Sequence, residues 1–380
     1  MRLSDHLMAE CGRTTDIGGI FTKSCAALRE AERFELSDDV ARAGYNLTKS
    51  KPSTLLAALP LSRAPFRKIW LEWRGGLTSA WLKPEQKRPA EWAPDPLKQG
   101  CLIEADKSGT RGTMTFAWLH REKPERGGDG DELYTPVNIA PLGALFNWSE
   151  DGDARADAMH ELERRYPTPG AKRSAAGIID LAITTRNSKV WTDDEIKAWM
   201  ERSVFENWGR FANMAKEREA LRELDRHTIK FISPHAVSFL EWVASQALQS
   251  EQTLERFLKY VVRASWEQDI EGEPPFAETV IAMMNSRNAI EHRSVDLSTL
   301  NKSRAKRGRP LFLPYKTTQL RLSQAQTRAF RAGLLTREDA GRHRVRGHFK
   351  IRKTGVYWWS PFFRGEPTKQ AQRQEYKVAL

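Results

Sequence analysis

From Arg344 to Arg352 the chain alternates: Arg344, Arg346, His348, Lys350 and Arg352 take every second position, and Val345, Gly347, Phe349 and Ile351 take the others. Successive side chains of a strand point to opposite faces, whereas a helix would scatter such a pattern around its circumference. The segment therefore reads as a strand with one cationic and one apolar face. Lys353-Thr354-Gly355 supplies a tight turn, since Gly355 can take a positive φ. Val356 to Ser360, with Trp358 and Trp359, is an aromatic return strand that Pro361 ends. Tyr315 to Ser323 offers a third strand. A sheet this small buries little alone and has to dock on something.

This strand belongs to a basic tail. Residues 287–380 hold 22 Lys/Arg against 6 Asp/Glu, and the rest of the chain holds 39 against 43, so the net charge of +12 comes from the tail. A block of one sign on a near-neutral body points to a polyanion partner, most often nucleic acid. A solubilising tail is the alternative. The expected contact residues are Lys306, Arg307, Arg309, Arg344, Arg346, His348, Lys350, Arg352 and Arg364, with Trp358 as a stacking ring. The other reading of Trp358 and Trp359 is that they cover a small core. Arg307-Gly308-Arg309-Pro310 equals the core of an AT-hook, an extended tetrapeptide that lies in the minor groove. Here the apolar Leu311-Phe312-Leu313-Pro314-Tyr315 follows, so the stretch reads as a basic linker feeding a strand.

The expected class is α+β, in four parts: residues 1–150 an antiparallel sheet with helices, 151–290 a helical region, 291–310 a basic linker, 311–380 a basic β module. Helices are read over Leu3–Gly12, Lys23–Leu36, Asp38–Leu47 and Asp153–Tyr166. More are read from Thr192 to Asp225, from Ser233 to Val261 and from Pro274 to Arg287, with Thr192 and Glu195 as a capping pair. Phe66–Trp73, Cys101–Asp106 and Thr113–His120 read as strands, the last two joined by a turn at Lys107–Thr110, and Leu133–Ala140 as a further strand. Lys83–Gly100 and Glu125–Glu132 read as loops.

Cys11, Cys25 and Cys101 are too few and too far apart for a disulfide framework or a metal knuckle, so a reducing compartment is expected. The first residues lack the apolar run of a signal peptide, and no stretch is long and apolar enough to span a membrane. Phosphate-loop, dinucleotide, nucleophile-elbow and zinc-protease motifs are all absent from the sequence. No cofactor and no metal is expected, and no enzymatic activity is assigned. The alternative in the enzyme class is a metal-dependent nuclease. Glu72, Glu104 and Asp106 fall on neighbouring strands beside Lys107, and clustered carboxylates can hold a cation for phosphodiester cleavage.

The stretch NKSRAKRGRPLFLPY (Asn301–Tyr315), the strand VRGHFK (Val345–Lys350) and the ending WWSPFFRG (Trp358–Gly365) resemble the C-terminal segment of a group of uncharacterised phage and prophage proteins. The I-W-x-E core of Ile69–Glu72 resembles their N-terminal part. The resemblance implies a phage or integrated-element origin and carries no catalytic residue. The expectation is a nucleic-acid-binding accessory protein, on DNA or RNA, in the cytoplasm of a bacterial host and without a membrane partner. A protein-interaction or structural role towards a host or phage protein is the third reading.

Overall fold

The structure, a computed structural model, describes residues 2–11, 19–75, 97–119, 137–165, 215–235, 272–286, 288–309 and 311–321. It also describes strands at 343–345, 348–352, 355–359 and 362–364. The expected loop at 125–132, the Lys83–Gly100 loop up to residue 96, the helix from Thr192 up to residue 214 and the one running on from residue 236 lie outside the described residues. So do Arg346, Lys353, Thr354 and Pro361. Lys98–Gly100, read as the end of the Lys83–Gly100 loop, is strand.

The chain begins with α1 (Leu3–Glu10) and α2 (Ile20–Glu30), then β1 (Glu32–Leu36), α3 (Asp38–Thr48) and α4 (Pro52–Leu56). Next come β2 (Lys68–Arg74), β3 (Lys98–Ala105), β4 (Arg111–Leu119), β5 (Val137–Asn147) and α5 (Ala154–Arg165). Then follow α6 (Ala215–His227), β6 (Thr228–Ile232), α7 (Glu273–Asn285), β7 (Ile290–Ser294), α8 (Ser298–Lys306) and β8 (Lys316–Leu320). Among the described residues these strands form an eight-stranded sheet in the order β6-β5-β4-β3-β2-β1-β8-β7. Strand β1 runs parallel to both β2 and β8, and the other neighbours are antiparallel. The class is α+β.

Central strands covered on both faces read as nearly unbroken apolar runs, and β2 does so. Ile69, Leu71 and Trp73 face one side, in a core with Phe34, Ile103, Met114 and Phe116 against α3 and α7. Trp70 and Glu72 face the other, under α1 and α2, whose Leu3, Leu7 and Leu28 are buried. Helix α3 starts where its sequence says: the Ser37 side chain accepts a hydrogen bond from the Val40 amide, and Asp38 and Asp39 fill the first turn.

Several expectations are corrected. The sheet is mixed rather than antiparallel, because Lys23–Leu36 is not one helix. The helix stops at Glu30, and Glu32–Leu36 inserts as β1 with Phe34 and Leu36 on the core face. Pairing on two sides overrides the helical spacing, as tertiary context often does for short strands. The region 151–290 is not wholly helical, since β6 pairs with β5 as an edge of the sheet. The stretch 291–310 is not a linker, and Lys316–Leu320 is not the hairpin's third strand. Helix α8 occupies Ser298–Lys306, and β8 joins β1 and β7 with Thr318 fully buried.

The segment Leu311–Tyr315 is tied down from both ends of the chain. Asn301 accepts from the Phe312 amide at 2.8 Å and donates to its carbonyl at 3.1 Å. The Arg2 guanidinium lies 3.9 Å from the Tyr315 ring centroid and donates to the Leu313 carbonyl, and Arg33 donates to the Pro314 carbonyl at 2.7 Å.

Candidate functional site

The carboxylate set is separated by the register of β2 and β3. Lys68 stands opposite Glu104 and Glu72 opposite Gly100. Four residues of strand place Glu72 about 13 Å along the sheet from Glu104. Glu72 is 2% exposed and fully engaged: it accepts from the Leu3 amide at 2.7 Å, the Ser4 amide at 3.1 Å, the Trp70 indole at 3.2 Å and Lys98 Nζ at 2.9 Å. The first two donors are the open amides of α1's first turn, so a strand carboxylate serves as the anion that a helix N-terminus favours. Burial opposes the charge of Lys98, yet Glu72 and Glu35 hold its ammonium above the usual lysine range. Glycine at position 100 makes room for the indole. A methyl group there would come within 2.3 Å of the Trp70 ring.

Glu104 does different work. Its Oε2 lies 2.5 Å from His235 Nε2, and its Oε1 lies 3.7 Å from Lys68 Nζ, which also binds Glu30 at 2.6 Å. Burial pushes the Glu104 carboxyl up, but His235 and Lys68 together hold it below its ordinary value. His235 is buried, and among the described residues its Nδ1 has no hydrogen-bond partner. Sequence reasoning missed this histidine. Only the β5–β6 pairing brings it across the sheet to Glu104, and no local spacing announces that. Asp106 accepts from Ser108 Oγ at 2.6 Å and from the Gly109 amide at 2.9 Å, an Asx-type turn that closes the β3–β4 hairpin. Lys107 is exposed. Glu72, Glu104 and Asp106 therefore form no joint centre. Among the described residues no group of three His, Cys, Asp or Glu side chains could hold a metal.

The tetrapeptide Arg307–Pro310 is not extended over its described part, Arg307–Arg309. Arg307 is the C-cap of α8, and Gly308 takes φ +62°. The Gly308 amide bonds the Ala305 carbonyl at 3.1 Å and the Arg309 amide bonds the Arg304 carbonyl at 3.0 Å. That pair of bonds is a Schellman motif, which needs a left-handed residue where glycine stands. Lys306, Arg307 and Arg309 are exposed around this helix end, where cations complement the helix dipole.

The C-terminal strands are β9 (His343–Val345), β10 (His348–Arg352), β11 (Gly355–Trp359) and β12 (Phe362–Arg364). Strand β10 pairs with β11 and β9 with β12, both antiparallel. Among the described residues these are two separate two-stranded sheets, with Val345 opposite Phe362 in one and His348 opposite Trp359 in the other. Arg344 pairs with Phe363, Lys350 with Tyr357, Arg352 with Gly355, and His343 with Arg364. Trp358 stands opposite Phe349, not opposite a cation.

Among known proteins, no family model, no curated protein and no solved structure matches the chain. Among the described residues no helix is long and apolar enough to cross a membrane.

Proposed function

We propose that this protein binds nucleic acid through its C-terminal ribbon, as a phage- or prophage-encoded accessory protein in the cytoplasm of a bacterial host. The observation that carries the reading is the cationic alternation from Arg344 to Arg352, of which Arg344 falls on β9 and His348, Lys350 and Arg352 fall on β10. Between Gly341 and Gly365 the chain has no Asp or Glu, so these cations lack neighbours in sequence that could neutralise them. A row of cations spaced along a ribbon can follow a phosphate backbone, and each phosphate neutralised releases counterions. Lys306, Arg307 and Arg309 form a second exposed basic cluster.

The test is electrophoretic or anisotropy binding by the full chain. Combined Arg344→Glu, Arg346→Glu and Arg352→Glu reverses the charge without altering the apolar positions. The proposal expects a folded protein that no longer binds DNA or RNA. A wild-type chain that binds neither at low salt overturns it and leaves the protein-interaction reading in its place.

A further inference from the structure

We infer that the ligand of the ribbon is single-stranded nucleic acid, and that Tyr357 and Trp359 are its stacking pair. This rests on the nucleic-acid reading above and goes beyond it by naming the ligand class and the recognising residues.

The argument is one of register. Residues directly opposite in an antiparallel ladder share a face of the ribbon. His348, Lys350 and Arg352 therefore share a face with Trp359, Tyr357 and Gly355. The other face takes Phe349 and Ile351 with Trp358 and Val356. Two adjacent tryptophans are thus divided between the faces. The second face is apolar throughout these pairs and suits packing. The first carries the cations, and burying cations without partners is costly. Aromatic residues placed on that face are consequently available to a ligand that also satisfies the cations.

A duplex fits this face poorly. Its bases are stacked on one another at 3.4 Å per step along each strand and offer their edges, not their faces. Tyr357 and Trp359 are two residues apart on one strand, or about 7 Å. That is roughly twice the stacked spacing, and it suits bases splayed apart, each lying on a ring. Phosphates along the same strand would meet the cations that alternate with those rings across the ladder.

The experiment uses the full chain and three labelled probes of equal length: oligothymidylate, oligouridylate and a mixed-sequence DNA duplex. Fluorescence anisotropy is read at one fixed salt concentration. The wild type should bind a single strand at least about tenfold more tightly than the duplex. Trp359→Ala should weaken single-strand binding by about 5- to 150-fold, the range of one lost stacking contact, and change duplex binding little. Trp358→Ala should leave single-strand affinity within about twofold and lower the thermal midpoint instead. Trp359→Phe, which keeps a ring, should retain binding and guards against a folding artefact in the alanine variant. Equal affinity for single strand and duplex, with Trp359→Ala without effect, overturns the inference while charge-reversal sensitivity keeps the broader reading alive. Failure of the wild type to bind any probe overturns the broader reading itself.

Discussion

In the sheet body the buried carboxylate Glu72 is met by two amides, an indole and an ammonium, and Glu104 by His235 and Lys68. In the ribbon a row of cations stands in a stretch without a single acidic residue. The body uses its charges internally, to seat a helix on a sheet and to hold strands in line. Charges of the first kind belong to stability; those of the second kind are the ones proposed to serve binding. The two regions should therefore respond in opposite ways to the same sort of substitution.

The sharpest way to break that contrast is to remove one charge from the body. Glu72→Ala leaves Lys98 without its closest anion and strips the first amides of α1. It should cost about 3–5 kcal/mol, the usual result of orphaning a buried partner, read as a lower denaturation midpoint. Triple reversal of Arg344, Arg346 and Arg352 should move the same midpoint by no more than about 0.5 kcal/mol. A ribbon variant that unfolds the body, or a Glu72 variant that does not, would erase the distinction.

The next effect is a pH dependence that originates in the body. Glu278 is buried on α7, with the Thr228 hydroxyl 3.1 Å away and Trp148 and Ser62 as further donors. Burial pushes its carboxyl up to about 7 from an ordinary value of 4.5. The folded state thus holds this proton more tightly than the unfolded chain. Its contribution is complete below about pH 4.5, declines as pH rises, and is lost above about pH 7, a change of about 3 kcal/mol. Thermal melts from pH 5 to 8 should show that decline, and Glu278→Gln should flatten it. An unchanged slope in the variant would assign the pH dependence elsewhere.

A smaller test concerns the basic cluster at the end of α8. If Gly308 serves the helix cap, Gly308→Ala should cost about 1 kcal/mol, because a Cβ is strained at positive φ. If Arg307–Pro310 acted as an extended groove-binding tetrapeptide, the same change would spare stability and alter binding to A·T-rich duplex.

Much of the fold could be read from the chain. Ile69, Leu71 and Trp73 alternate with Trp70 and Glu72, and Ser37-Asp38-Asp39 starts a helix, and both features stand where the pattern put them. What escaped was set by partners distant in sequence. Glu32–Leu36 continues a helical pattern and becomes a strand only because β2 and β8 flank it. Lys316–Leu320 alternates like a hairpin strand, but nothing local says which sheet it joins. Arg307–Arg309 has linker composition, and its helix is fixed by the Asn301–Phe312 bonds and the left-handed Gly308. Glu72 and Glu104 stand on adjacent strands as expected, Asp106 falls in the turn after β3, and the register that separates Glu72 from Glu104 follows from pairing that sequence alone leaves open. The two adjacent tryptophans could not be assigned to opposite faces until the ladder gave each its opposite residue.

The most direct test of the central claim is the salt dependence of nucleic-acid binding by the full chain. Affinity for a single-stranded oligonucleotide is measured from about 50 to 200 mM monovalent salt and plotted as log K against log salt concentration. With five cations engaged, the slope should be about −3 to −4, at roughly 0.7 released counterions per phosphate neutralised on a single strand. The triple reversal variant should show no measurable binding over the same range. A wild-type slope near zero, or full-strength binding by the reversed variant, would contradict the assignment of the ribbon's charge to a nucleic-acid backbone.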